Sequence, residues 1–319
     1  MEEKMNQSGQ HAILLLAHGT PNVLGEMKDY LDKVTGGRGV PDHVVTELQH
    51  RYAEIGLAAD PGPEPPHLTK WTLKQAALLE RQTGIKVYVA MRNWHPYIAD
   101  TVEQMKSDGV AHATVICLAP QNSRTSIGLY KRALIAALGD AFAFDFVEGW
   151  ADEPKLITAF AQRLAAAYPN ACAESGTTLP VLFTAHSVPC RTIQGDQPDP
   201  YAQEAKRTAA MVAAQSGIAP KDWFFAFQSQ GMSGGPWLGP TVEDTLKTLK
   251  EEGHPGVVIQ PIGFVCDHVE VLYDIDIAFQ QTARELGLKL WRAESLNDSP
   301  LLVEALATVA ASVEVSQPA

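Results

Sequence analysis

The sequence predicts an α/β protein built from two similar Rossmann-like halves, each a parallel sheet flanked by helices, with a cleft between them. Three observations predict it. Short apolar, β-rich runs alternate with amphipathic helical patterns along nearly the whole chain, as expected of βα units wound into parallel sheets. Residues 181–189 echo residues 13–21, each an apolar run followed by Ala-His-x-x-Pro. A second echo pairs Thr101-Val102-Glu103 and the run from Asp108-Gly109-Val110 into Val115-Ile116-Cys117 with Thr241-Val242-Glu243, Glu252-Gly253 and Val257-Val258-Ile259, which implies two similar half-chains.

Taken in order, the run 13–17 opens the first half as a strand, because Ile13-Leu14-Leu15-Leu16 is apolar without alternation and so fits a strand buried on both faces. A helical pattern follows over 68–83, then a strand over 86–90, a helix over 96–107 and strands over 114–118 and 143–147. A helix over 153–167 leads to a small, polar break between Tyr168-Pro169-Asn170 and Gly176-Thr177-Thr178, which divides the chain into 1–172 and 173–319. The second half repeats the scheme with strands at 180–184, 223–227, 256–260 and 288–291. Its helical patterns cover 199–215, 241–251 and 268–286.

With 319 residues, 45% apolar and 19% charged composition, the chain is globular and long enough for two domains. A formal charge of -12 and the lack of a Lys/Arg stripe with interleaved aromatics argue against nucleic acid as a partner. Cys117, Cys172, Cys190 and Cys266 lie far apart without a Cys-x-x-Cys, so they read as reduced thiols rather than a zinc ribbon or an iron–sulfur cluster. The charged start Met1-Glu2-Glu3-Lys4 and the absence of an apolar run of bilayer length predict a cytoplasmic protein with no transmembrane segment. Neither glycine-rich stretch, 35–39 or 231–237, matches a dinucleotide fingerprint or a P-loop. The proline-dense segment 60–67 reads as a stiff surface connector, with a functional lid as the alternative.

The chemistry concentrates on His186 and Glu270. Each follows an apolar strand-like run, so both project from strand ends into one crevice, the place where open α/β sheets bind ligands. Imidazole plus carboxylate suits a divalent cation such as Fe2+ or Zn2+, and two ligands leave coordination positions open. Taken singly, His186 also fits a histidine bonded to a neighbouring carbonyl, and Glu270 a first-turn carboxylate on a helix dipole.

The motifs around these residues are ordered and long: Phe183-Thr184-Ala185-His186-Ser187-Val188-Pro189, Phe227-Gln228-Ser229, Trp237-Leu238, and the run from Pro261 through Asp267-His268-Val269-Glu270 to Asp276. Asp199-Pro200-Tyr201 and Leu296-Asn297-Asp298-Ser299-Pro300 continue them, and Gly19-Thr20-Pro21, Arg51-Tyr52-Ala53-Glu54-Ile55-Gly56 and Met91-Arg92-Asn93-Trp94-His95-Pro96 extend them into the first half. Together they resemble the ferrochelatase family over nearly the whole chain.

The resemblance implies a chelatase-like fold and insertion of Fe2+ into a porphyrin in haem biosynthesis, with His186 and Glu270 catalytic and at the metal. It implies porphyrin contacts from Arg51, Tyr52 and Tyr130. Residues 30–38 and 51–56 resemble the branch that metallates coproporphyrin III more than the branch using protoporphyrin IX. In that branch a tyrosine often stands where His18 stands here, so His18 is a candidate axial ligand or a packing histidine. Asp274 lies one turn beyond Glu270, but the next rung is Ala278 where relatives often place an acid. A short Gly-Ser-Pro segment of relatives is replaced here by the proline-rich insertion 57–66. Iron is expected as substrate, with no iron–sulfur cluster, a monomeric protein and a haem-accepting protein as a possible partner. A sirohydrochlorin-type chelatase and a non-catalytic tetrapyrrole carrier are the alternatives; the Glu270 motif, and the presence of both site residues, weigh against them.

Overall fold

The computed structural model describes residues 10–193, 199–231 and 234–313. Eight strands form two four-stranded, all-parallel sheets. The first runs in the order β2-β1-β3-β4, from β1 (Gln10–Ala17), β2 (Lys86–Met91), β3 (Val110–Cys117) and β4 (Ala143–Val147). The second runs β6-β5-β7-β8, from β5 (Val181–His186), β6 (Trp223–Gln228), β7 (Gly256–Pro261) and β8 (Lys289–Arg292). The two orders are the same scheme, so the sequence echo is a structural repeat. In each sheet the chain starts on a central strand, moves to one neighbour, then crosses to the other side. That reversal opens a crevice outside the C-terminal ends of β1 and β5. His18 directly follows β1, and His186 is the last residue of β5.

Among the described residues, twelve α-helices are wound around the sheets: α1 (Met27–Thr35), α2 (Asp42–Glu54), α3 (His67–Thr83), α4 (Ile98–Ser107), α5 (Ile127–Leu138), α6 (Pro154–Ser175), α7 (Cys190–Ile193), α8 (Tyr201–Gln215), α9 (Val242–Glu251), α10 (Val269–Leu272), α11 (Gln280–Glu285) and α12 (Pro300–Ser312). Helices α4 and α5 cover the outer face of the first sheet, where Leu14, Leu16 and Val115 meet Val102, Met105 and Leu134. Helices α9 and α11 cover the outer face of the second. The inner faces share one core. Ile13, Leu15 and Ile116 of the first sheet and Val181, Phe183 and Val258 of the second are joined through Leu156, Phe160 and Leu164 of α6 and Leu302 and Leu306 of α12. The chain therefore returns at its end to pack α12 against α3 and α6.

The break expected from Tyr168-Pro169-Asn170 to Gly176-Thr177-Thr178 begins only at its far end, Gly176. Helix α6 runs through Pro169 to Ser175 and ends on left-handed Gly176, so a boundary after residue 172 falls within its last turn. Pro169 removes one backbone donor, but Ala171 is buried and the Tyr168 hydroxyl donates to the Leu179 carbonyl at 2.8 Å, so packing holds the turn. The single helix expected over 268–286 is also modified. Between α10 and α11 lies a π-helical stretch, Asp274–Phe279, in which the Ala278 amide donates to the carbonyl of Tyr273, five residues back, at 2.9 Å. Among the described residues, no helix is long and apolar enough to cross a membrane.

Candidate active site

His186 is fixed by its backbone before its ring is considered. Its carbonyl accepts from the Tyr201 hydroxyl at 2.8 Å, and the next residue, Ser187, donates its amide to the Gln228 carbonyl at 2.6 Å and its hydroxyl to the Leu238 carbonyl at 2.9 Å. Glu270 arrives from β7 through a loop that presses on β5. A Cβ at Gly263 would stand 2.8 Å from the Ala185 Cβ and 2.9 Å from its Cα, so only glycine lets the loop pass. His268 then caps α10, its Nδ1 accepting from the Glu270 amide at 3.1 Å, while the Gln228 side-chain amide donates to the Glu270 carbonyl at 2.6 Å. The strand end that carries Gln228 therefore steadies both site residues.

The outcome is a contact between His186 Nε2 and Glu270 Oε1 at 3.3 Å. His186 Nδ1 donates to the Ser187 carbonyl, so both ring nitrogens face acceptors. Burial alone would lower the His186 pKa, but the Glu270 charge and hydrogen bond raise it well above an ordinary imidazole. Burial likewise would raise Glu270, and His186 holds it well below the usual carboxylate range. Their mutual contact thus favours the charged forms, imidazolium and carboxylate.

The pair borders a cavity of about 730 Å3, lined from the first half by His18, Tyr30, Tyr52, Arg92 and Tyr130, among others. Each sits where its local structure puts it. Gly19 adopts φ 94° against the chain at Trp94, where a Cβ would stand 2.7 Å from the Trp94 nitrogen, and this turn swings His18 toward the cavity. The Arg92 and Asn93 amides donate to the Ala17 and His18 carbonyls, each at 3.0 Å, tying the ends of β1 and β2 together.

Both His18 nitrogens are engaged. Nδ1 lies 3.2 Å from the Gly19 carbonyl and 3.1 Å from the Tyr30 hydroxyl, and the Asn93 amide reaches Nε2 at 3.0 Å. Burial, with the Arg92 charge, lowers its pKa to about 4. His18 is thus placed in the cavity wall with both ring nitrogens bonded to protein groups.

Tyr52 and Tyr130 line the cavity, but Arg51 does not. Helix α2 turns the Arg51 guanidinium onto Glu47, one turn back, and over the Tyr273 ring, 5.2 Å from its centroid. Its place in the first half's walls is taken by Arg92, which sequence reasoning passed over although its position at a strand end marked it. The Arg92 Nε is buried without a hydrogen-bond partner, and its guanidinium lies 5.8 Å from the Tyr130 ring centroid. The insertion 57–66, expected as a connector, also walls the cavity, together with Lys70 on α3. Trp94 is buried in the cluster of α1 and α2, a core anchor. Trp237 packs against Gly231 and does not line the cavity, and Met232 lies outside the described residues.

Beyond Glu270, Asp274 accepts from the Ser229 hydroxyl. Burial raises its pKa to about 6, the Glu270 charge adding to the effect and the Ser229 bond opposing it. Asp267 accepts from the Asn297 side chain at 2.8 Å, and its amide donates back to Asn297 at 2.9 Å, so it braces the loop from outside the cavity. Among the described residues, no group of three or more His, Cys, Asp or Glu side chains converges as a metal cage.

Comparison with known proteins gives a concordant picture. The sequence model of the family described as Ferrochelatase matches residues 10–313. A protein named Ferrochelatase from Acidobacterium capsulatum is 55% identical over 314 residues, covering 94% of each chain. A Coproporphyrin III ferrochelatase from a Geobacillus species is 34% identical over 308 residues, covering 93% of this chain and 96% of its own. Among solved structures, the cobalt complex of the sirohydrochlorin chelatase SirB from Bacillus subtilis subspecies spizizenii aligns with a TM-score of 0.53 at 12% identity, over 95% of this chain and 94% of that one. At that identity the likeness is one of fold.

Proposed function

Because the chain belongs to the ferrochelatase family, we propose that it inserts ferrous iron into coproporphyrin III, with His186 and Glu270 at the metal and the proton transfers. The observation that carries the site assignment is the 3.3 Å contact between the two side chains at the cavity wall. Relatives named for coproporphyrin III, and the arginine and lysine of the described cavity lining, Arg92 and Lys70, support the choice of macrocycle. Iron enters as substrate, and no resident cofactor is required.

Insertion removes two pyrrole N–H protons as the ring nitrogens take the metal. An imidazolium cannot accept a proton, so the resting pair has to change first. Fe2+ approaching Glu270 draws on the carboxylate charge that holds the proton on His186. The imidazole then passes its Nε2 proton through solvent water to the Asp274 carboxylate and presents a lone pair toward the cavity. In that state it accepts the two pyrrole protons in turn, passing the first outward by the same route before it takes the second, while Nδ1 stays bonded to the Ser187 carbonyl and keeps the ring oriented. Asp274, with its raised pKa, is suited to pass protons outward near neutral pH. The tyrosine-rich wall holds the ring, and the Arg92 guanidinium, which lines the cavity, gives a seat to a carboxylate.

Anaerobic Fe2+ insertion by the purified protein, followed by absorbance with coproporphyrin III and protoporphyrin IX side by side, tests the proposal. Turnover of coproporphyrin III in preference to protoporphyrin IX is expected. The reverse preference would assign the chain to the other branch, and tight porphyrin binding without turnover of either would make it a carrier.

A further inference from the structure

The insertion 57–66 is built as part of the cavity wall. Its base is pinned on both sides: the Leu24 amide donates to the Ala58 carbonyl at 3.0 Å, and the His67 ring lies 3.2 Å from the Ile55 carbonyl. Pro61, Pro63, Pro65 and Pro66 stiffen the chain between these pins. Asp60, Glu64, Pro65, Pro66, His67 and Lys70 line the cavity from this side. Among the described lining residues, Lys70 and Arg92 are the only lysine or arginine. They belong to different places. Arg92 lies deep, beside His18, whereas Lys70 is 44% exposed in the first turns of α3. Lys70 is paired with a carboxylate of the same wall, Glu64, at 2.5 Å.

We infer that Lys70 is a specificity-determining residue that binds a peripheral carboxylate of the porphyrin, and that Glu64 holds the same position in the empty enzyme and gives it up when substrate enters. The inference rests on the coproporphyrin reading above and deepens it. A half-exposed ion pair is worth little in water, so exchanging one carboxylate for another on Lys70 costs little. The substrate carboxylate gains a charge-assisted hydrogen bond, and the proline-stiffened wall spares most of the ordering cost. A tetracarboxylate macrocycle has carboxylates to spare for both Arg92 and Lys70. A dicarboxylate, with both acids along one edge, does not. The site thus turns the number and spread of acids on the ring into binding energy.

Because Glu64 competes with substrate, the two partners of the pair have opposite effects, which a merely structural brace would not show. Steady-state Fe2+ insertion with coproporphyrin III is measured for wild type, Lys70→Gln, Lys70→Arg and Glu64→Gln across ionic strength. A half-exposed lysine–carboxylate pair is worth at most about fivefold in binding, so Lys70→Gln raises KM by up to about that factor and flattens its dependence on salt. Lys70→Arg restores most of it, and Glu64→Gln lowers KM. Coproporphyrin turnover by wild type with a KM in Lys70→Gln within twofold of wild type overturns the inference and leaves the coproporphyrin reading standing. The same holds if Glu64→Gln raises KM as Lys70→Gln does. Failure of wild type to metallate coproporphyrin III overturns both.

Discussion

Arg292 grips Asp276 with two prongs, Nε to Oδ1 at 2.6 Å and Nη2 to Oδ2 at 2.9 Å, from the end of β8 onto the π-helical stretch that also carries Asp274. Its Nη1 extends to Asp267 at 3.5 Å. One largely buried guanidinium therefore links the loop that delivers Glu270 to the segment just beyond it.

A lysine cannot reproduce that fork, so Arg292→Lys loosens both segments together. The expected cost is about 1–3 kcal/mol, seen as a lower urea midpoint, with slower iron insertion. Asp276→Asn should have an effect of similar size, and the double variant should fall short of the sum because both remove the same contact. Full additivity would show that the fork does not act as a unit.

At the proposed metal site, His186→Ala is expected to abolish iron insertion while porphyrin binding, read by fluorescence quenching, persists. Glu270→Gln keeps the shape but removes the charge that holds the proton on His186. Insertion should fall by at least about a hundredfold, the scale of one general acid–base group. Wild-type rates in either variant would remove the assignment.

His18 should behave as a neutral wall residue. With its pKa lowered to about 4, its NMR titration midpoint falls far below the ordinary 6.5. The depressed value makes its contribution to stability full above pH 6.5 and lost as pH falls toward 4. His18→Ala should leave the absorbance spectrum of the bound iron porphyrin unchanged; a shifted spectrum would mean that His18 exchanges its Asn93 bond for iron.

Asp274 has the opposite sign. Its carboxyl is raised from 3.8 to about 6, so the fold binds this proton more tightly than the unfolded chain does. The associated stability is present below pH 3.8 and is lost as pH rises through 6. Asp274→Asn should therefore gain stability over wild type between pH 4 and pH 7, while losing insertion rate if the acid carries protons outward. Equal denaturation midpoints across that range would contradict the raised value.

Much of this molecule was legible in its sequence because the signals were local. The eight strands were readable from apolar runs such as Ile13-Leu14-Leu15-Leu16 and Val257-Val258-Ile259, since a strand buried on both faces needs an unbroken run. The repeat was readable from Ala17-His18 and Ala185-His186, which end equivalent strands. His186 and Glu270 stood out through the motifs around them. Pro169 misled because a proline's local preference was overruled by the packing of α6 between the two halves. The π-helical turn left no trace, since one extra residue in a helix does not disturb the apolar pattern enough to be seen.

The sequence by itself determined the class of fold, the twofold repeat, and the singling out of His186 and Glu270, to which the chemistry is assigned here. Only the tertiary structure decided how the pair is charged, that His18 is already bonded on both nitrogens, that Arg51 turns away while Arg92 faces inward, and that the proline-rich insertion is a wall. These are properties of distance between segments far apart in the chain. A side chain's type sets what it can bind, but its neighbours in space set its proton, its partner and the direction it faces.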